Sequence, residues 1–114
     1  MIQTLNFNNV KYLRLPIILK DEAQTCLHLT TPTVDLVEKL QNDLPIWQEK
    51  LKKGDTESIK ALYDFAAVLI SLNIEKVEVD GTKLREVYNL DIVDIITFFG
   101  AYIEYIAAIK NSKN

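Results

Sequence analysis

The first quarter of the chain alternates between apolar and polar positions with the two-residue period of β-strands. Two such runs, residues 10–19 and 24–29, flank the polar segment 20–23, whose length suits a hairpin loop. Pro16 interrupts the first run and has no N–H to donate, so we expect that strand to lie at an edge or to bulge there. Residues 2–8 also alternate and are compatible with a third short strand.

After residue 30 the apolar spacing changes to that of helices. Thr31 suits an N-cap and Pro32 the first helical position, followed by an apolar stripe. Pro45 interrupts that stripe, so the sequence predicts a second helical segment that ends at Gly54. The members of the first stripe are Val34, Val37, Leu40 and Leu44, and the second segment carries Ile46, Trp47 and Leu51.

Two longer helices are predicted in the second half of the chain. Asp55 suits the N-cap of the first and Asn73 its end, and Asp91, with Asp94 in the first turn, suits the start of the second. Between them residues 75–79, EKVEV, alternate like a strand, Asp80-Gly81 indicates a turn, and Thr82 suits the cap of a short helix over 83–88. The last helix carries Ile92, Ile95, Ile96, Phe98, Phe99, Tyr102, Ile103, Ile106 and Ile109.

The 114 residues, 48% apolar and 25% charged, have the size and composition of one globular domain. The predicted fold class is α+β. We expect a single domain over 1–114, with a β-hairpin region at 1–30, a mainly helical body of four to five segments at 31–110, and a polar tail at 111–114 that frays.

Charge and composition argue against several classes of function. The net charge is −3 and no basic stripe is present, so we expect no nucleic-acid binding. The apolar segment 92–109 is long enough to span a membrane, but Asp94 and Glu104 lie within it, so we expect a packed helix and no membrane partner. The three glycines are far apart and form no phosphate-binding motif, so we expect no cofactor.

Cys26 and His28 are the only cysteine and the only histidine. In a strand, residues two apart share a face, so the pair is the one candidate for nucleophilic catalysis. The alternative is that Cys26 is a small buried hydrophobic residue. One Cys and one His are too few for an ordinary structural zinc site, and we predict that the chain is not an enzyme and binds no metal.

The apolar last helix is the main positive signal for function. Phe98 and Phe99 project about 100° apart, so one can face the core while the other faces something else. Tyr102 and Tyr105 lie one turn apart, and Trp47 stands on a segment rich in charge. These five aromatic residues are our candidates for binding a partner; the alternative is that helices pack on both sides of the last helix and that Trp47 covers the core.

The order of features resembles that of the tail assembly chaperones of siphophages and prophages of Gram-positive bacteria. A hairpin ending in CLHLTTP (26–32) leads into the helix VDLVEKL (34–40), a later helix ends in AAVLISLN (66–73), and LDIVDIITFFGAYIEYI (90–106) comes last. The likeness covers most of the chain and is weak in residues 1–10. The strand-like residues 75–79 depart from it, because a polar loop is expected there.

The resemblance implies a role in tail morphogenesis in the host bacterial cytoplasm. Such proteins bind the tape measure protein, a long, largely helical and apolar chain, and keep it soluble until the tail tube forms around it. The tail tube protein is a further candidate partner, and homo-oligomers are compatible with the role. Two alternatives stay open: a structural or adaptor protein of a phage tail or head that self-assembles into rings, and a small hydrolase using Cys26 and His28.

Overall fold

A two-stranded antiparallel sheet precedes five helices in the computed structural model, which describes residues 4–6 and 13–110. The α+β fold predicted from the sequence is confirmed. The predicted tail 111–114 and most of the possible strand at 2–8 lie outside the described residues. The elements are β1 (Leu15–Ile18), β2 (Cys26–Leu29), α1 (Val34–Asn42), α2 (Leu44–Lys52), α3 (Thr56–Ile70), α4 (Gly81–Glu86) and α5 (Ile92–Lys110).

One face of the hairpin is buried, and its edge strand β1 contains a proline. Leu15 pairs with Leu29 and Ile17 with Leu27, and the two leucines of β2 are fully buried. β1 has no second strand partner among the described residues, so Pro16 lies on an edge strand, as predicted. The other side of β2 is covered where the N–H of Ile74 donates to the carbonyl of His28 at 3.1 Å.

Capping side chains set the helix boundaries, and two of the predicted caps are wrong. Asp55 caps α3 as predicted, its carboxylate accepting from the N–H of Glu57 at 3.0 Å. The first helix, however, is capped by Thr33, whose extended backbone precedes Val34, so Pro32 lies outside the helix. The short α4 is capped by Asp80 rather than Thr82, because the Asp80 carboxylate reaches the N–H of Lys83 at 2.8 Å.

Pro45 and Gly54 lie at the two breaks that separate α1, α2 and α3. α1 ends at Asn42 and α2 begins at Leu44, with Pro45 in its first turn, where a missing N–H is tolerated. Gly54 has φ +84°, a conformation that side chains with a Cβ rarely adopt, and it separates α2 from α3 as predicted.

The core is built around α3, which contacts α2, α4, α5 and β2. Its residues Leu62, Ala66 and Leu69 are completely buried. Tyr63 donates its hydroxyl to the carbonyl of Leu90 at 2.9 Å and so ties α3 to the segment that leads into α5.

α5 begins with a reciprocal cap between two aspartates. The N–H of Asp94 donates to the Asp91 carboxylate and the N–H of Asp91 to the Asp94 carboxylate, each at 2.9 Å. Over residues 92–109 the helix is long and apolar enough, by length and composition, to cross a membrane, a test that core helices also pass. One side of α5 packs on α3 and supplies core residues, among them Ile95, Phe99 and Tyr102.

Candidate functional site

The five aromatic residues proposed from the sequence lie in one continuous ladder of rings, completed by Phe65 of α3. Ring centroids are 5.7 Å apart for Trp47 and Phe65 and for Phe65 and Phe99. Along α5 the ladder continues through Phe98 and Tyr102 to Tyr105, with spacings of 5.5–5.7 Å. Such distances are typical of favourable aromatic pairs. The structure therefore brings all five candidates together.

The ladder lies in the core of the domain rather than on its surface. Phe99 and Tyr102 are completely buried, Phe98 and Tyr105 are at most 9% exposed, and Trp47 is half-buried. The expectation that one of the two adjacent phenylalanines faces away from the core is wrong, because both lie on the side of α5 that the rest of the domain covers. Whether any of the five binds a partner stays a prediction, and in this conformation Trp47 is the most accessible of them.

The ammonium group of Lys39 lies over one side of the Trp47 ring. Lys39 Nζ of α1 lies 5.8 Å from the Trp47 ring centroid and 5.5 Å from that of Phe65. This is the distance range of cation–π contacts. Together with the ring of Phe65, Lys39 covers part of the indole, which fits the alternative interpretation that Trp47 closes the core.

The opposite side of α5 carries a second apolar surface, which no other described part of the chain covers. Val93, Ile96 and Ile103 are 65%, 40% and 49% exposed, and Gly100 and Ala107 lie between and beyond them. We call these five residues the outer stripe. Among the exposed residues of this side within 92–109, where the structure describes the side chains, only Glu104 carries a charge.

The outer stripe has the spacing of a coiled-coil seam. Its members follow one another at intervals of three, four, three and four residues, which is the a/d pattern of a heptad repeat. A Cβ built on Gly100 would meet no other atom within 4 Å, so the backbone of α5 can be approached closely there. At about 1.5 Å per residue the stripe runs for roughly 21 Å, close to four turns.

Sequence reasoning missed this stripe because it weighed the large aromatic rings first. The signal was present: Ile96 and Ile103 fall with Gly100 and Ala107 on one side of α5 and the rings on the other. Exposed large apolar residues elsewhere, such as Val34 on α1 and Val68 on α3, are spread over different elements. On α5 three of them lie on one face of one helix, which is a contiguous apolar surface.

Cys26 and His28 share one face of β2, as predicted, and a third residue, Glu75, bonds to His28. His28 Nδ1 lies 2.6 Å from Glu75 Oε2, and the backbone N–H of His28 donates to Glu75 Oε1 at 2.8 Å. These two hydrogen bonds lower the pKa of the Glu75 carboxyl, the backbone bond contributing most. The ring is thereby fixed in orientation by a carboxylate.

The Cys26 thiol is not part of this hydrogen-bonded pair. It is exposed, and within residues 4–6 and 13–110 it has no hydrogen-bond partner, so it makes no contact with the His28 ring of the kind that activates a nucleophile. The interpretation of Cys26 as a buried hydrophobic residue is wrong, because the side chain points to solvent while Leu27 and Leu29 fill the core. A hydrolase that uses this pair stays an untested alternative to the predicted non-enzymatic role.

Comparison with models of protein families, with curated proteins and with solved structures finds no match to this chain.

Proposed function

We propose that this protein binds an apolar helix of another protein along the outer stripe of α5, and that it acts as a phage tail assembly chaperone that masks the tape measure protein. The observation that carries the proposal is the uncovered heptad stripe from Val93 to Ala107. Apolar side chains left in water on one face of a helix are typical of a protein–protein interface.

The chemistry of the stripe favours a helix as the partner. Ile96 and Ile103, at the d positions, can insert their side chains between residues of a facing helix. The small residues Gly100 and Ala107, at a positions, leave room for side chains that the facing helix inserts in return. A strip about 21 Å long and one helix wide is too small for a standard interface between two globular surfaces. It suits the lateral binding of a single amphipathic or apolar helix.

The order of elements supports the more specific role. The hairpin, the helix that follows it, and the apolar last helix occur in the order that suggested the resemblance to tail assembly chaperones. A chaperone of that kind needs apolar surface for a long helical client and needs no reactive group. The outer stripe provides such a surface, and the client expected from the resemblance provides the helices.

Coexpression with the protein encoded immediately downstream tests the proposal. We expect that protein to copurify with the chain and to stay in the soluble fraction only when the chain is present. The double substitution Ile96→Asp and Ile103→Asp should abolish both effects, because it places charges in the centre of the stripe. A tape measure protein that is equally soluble with and without the chain contradicts the proposal.

The matched control is Val34→Asp, which introduces the same charge at a residue 74% exposed on α1. Copurification should survive this change. Circular dichroism must show that all three proteins melt at similar temperatures, since the substituted side chains are on the surface. Loss of binding in the Val34 variant to the same degree as in the stripe variant would refute the assignment of the outer stripe.

A structural or adaptor role is the second candidate, and the same stripe favours it, because a heptad seam can also join copies of one chain. Light scattering of the purified protein separates the two functions. A defined oligomer that the Ile96 and Ile103 substitutions dissociate, together with the presence of the protein in mature particles, supports the adaptor role. A monomer that binds the downstream protein supports the chaperone.

A further inference from the structure

The outer stripe alternates between large and small residues along α5. Each of its isoleucines, Ile96 and Ile103, is followed four residues later by a small residue, Gly100 or Ala107. All four residues are exposed on the same side of the helix. One helix face therefore carries both side chains that project and gaps that receive such side chains.

Two antiparallel copies of α5 match these features at every level of the contact. In an antiparallel coiled coil the a positions of one helix face the d positions of the other. With Gly100 opposite Ile103 of the second copy, Ala107 lies opposite Ile96, and the two-fold axis repeats both contacts. Each level then holds one isoleucine and one small residue, the combination that fills a core without voids.

A parallel pair of the same helices packs poorly. Each residue of the stripe would face its own counterpart, so a level with two isoleucines would be followed by a level with two small residues. The isoleucines hold the helices apart, and a void remains between the small residues. The antiparallel pair also places the positive end of each helix beside the negative end of the other, which is favourable.

One flank of the stripe permits the close approach that this pairing needs. Thr97, Ala101 and Ala108 are exposed there, and all three side chains are small. The contact is about 21 Å long and one helix wide, which is less than the area of a standard stable interface. We therefore expect a weak and reversible association.

We propose that a second copy of this chain occupies the outer stripe, antiparallel and with Gly100 opposite Ile103, whenever no other helix is bound. The dimer removes from water the apolar side chains that a single copy exposes. A client helix and the second copy contact the same residues, so they compete. This competition rests on the function proposed above, whereas the dimer rests on the geometry of α5 alone.

Sedimentation of the full chain over a range of concentrations tests the dimer. We expect a reversible change from monomer to dimer and no larger species, because a two-fold contact uses the stripe of both copies. Ile96→Asp places a charge against Ala107 of the second copy and should abolish the dimer. Val34→Asp, at the exposed residue on α1, is the matched control and should leave it intact.

Two substitutions of Gly100 test the fit between large and small residues. Gly100→Ala makes this level resemble that of Ala107 and should change the dissociation constant little. Gly100→Leu fills the space that Ile103 of the second copy needs and should weaken the dimer about tenfold or more. A Cβ at residue 100 meets no other atom within 4 Å, so both monomers should fold, which circular dichroism checks.

Thr97 and Glu104 report the orientation of the two helices. Both are exposed e positions, and antiparallel pairing places Thr97 of one copy beside Glu104 of the other, whereas parallel pairing does not. Thr97→Lys should therefore tighten the dimer about threefold at low salt, and Thr97→Glu should weaken it by a similar factor. Both variants lose the hydrogen bond from Thr97 Oγ1 to the Val93 carbonyl, so their difference reports the charge.

Each outcome decides the proposal. A concentration-dependent dimer with opposite effects of the two Thr97 variants supports it. A chain that stays monomeric, a dimer that survives Ile96→Asp, or equal effects of the Thr97 variants overturns it. A monomeric chain that still solubilises the protein encoded downstream contradicts the dimer and leaves the proposed function standing, while a dimer without copurification of that protein does the reverse.

Discussion

Tyr102 and Tyr105 lie one turn apart on α5 with ring centroids 5.7 Å apart and ring planes at 70°, yet only one of the two hydroxyls is satisfied. Tyr105 donates to the carbonyl of Leu13 at 2.8 Å, and the carbonyl of Leu29 lies 3.4 Å away. The Tyr102 hydroxyl is buried and has no partner among the described residues. Burial raises the pKa of both phenols above the ordinary value of 10.0.

The two tyrosines therefore give opposite predictions on removal of the hydroxyl. Tyr102→Phe should leave the free energy of unfolding unchanged or raise it by about 1 kcal/mol, because it removes an unsatisfied buried polar group. Tyr105→Phe should lower it by about 1 kcal/mol, because it leaves the Leu13 carbonyl without its donor. Urea denaturation of the two variants measures both, and equal destabilisation would contradict the assignment of the hydrogen bonds.

Replacing glycine by alanine should have opposite effects on stability at Gly54 and at Gly100. Gly54→Ala should cost about 1 kcal/mol, because φ at residue 54 is +84° and a Cβ is strained there although no atom lies within 4 Å. Gly100→Ala should raise the stability of α5 by up to about 1 kcal/mol, since the residue is helical and its surroundings are open. Thermal melting distinguishes the two, and a loss of stability in the Gly100 variant would mean that this side of α5 is covered.

Stability should fall in acid because carboxylates have lowered pKa values in the fold. Hydrogen bonds from His28 lower the pKa of Glu75, and the hydrogen bond from Lys20 Nζ, 2.7 Å away, lowers that of Asp94. A lowered pKa in the folded state contributes stability that is present above the ordinary pKa of 4.5 or 3.8 and is lost as the pH falls through the folded value.

Glu75→Gln should accordingly be less stable than the parent at pH 7, and the difference should shrink as the pH falls below about 4. The urea midpoint, measured from pH 7 to about pH 2.5, follows this change. Glu22→Gln is the control, because Glu22 is exposed in the hairpin turn and has no hydrogen-bond partner among the described residues. A difference for Glu75→Gln that stays constant over this range would argue against the hydrogen bonds between Glu75 and His28.

Ser71→Ala should loosen one residue of the 75–80 segment selectively. The change removes both hydrogen bonds to Val79, while those from Asn73 to Val77 remain. We expect the amide hydrogen of Val79 to exchange at least tenfold faster and that of Val77 to change little, with a cost of about 1–3 kcal/mol in stability. Equal acceleration at both residues would show that the segment opens as one unit.

The sequence predicted those parts of the fold that depend on local chemistry. Asp55, Pro45, Gly54 and Asp91 each act on the next few residues, so their effects can be derived without knowledge of the tertiary contacts. Thr31 and Thr33 flank the same proline, and both residue types can cap a helix, so the sequence alone does not choose between them.

The candidate site was less accessible to sequence analysis. α5 has apolar side chains on most of its surface, and only the position of α3 decides which side is covered. The alternation of residues 75–79 was a correct signal for extended backbone, but the partner turned out to be the side chains of Ser71 and Asn73 instead of a strand. Asn73 and Ser71 bond the backbone four and eight residues further along the chain, and such side chain–backbone contacts follow no sequence period.

The hydrogen bond from Tyr105 to Leu13 joins positions near the two ends of the described chain. During synthesis the ribosome releases the hairpin and α1 to α4 well before the last turns of α5. Until then Phe65 and Leu29 lack the aromatic rings that cover them, so a nascent chain stopped before residue 105 exposes the interior of its own domain. Folding of this domain must therefore be completed late, after the aromatic residues of α5 have been made.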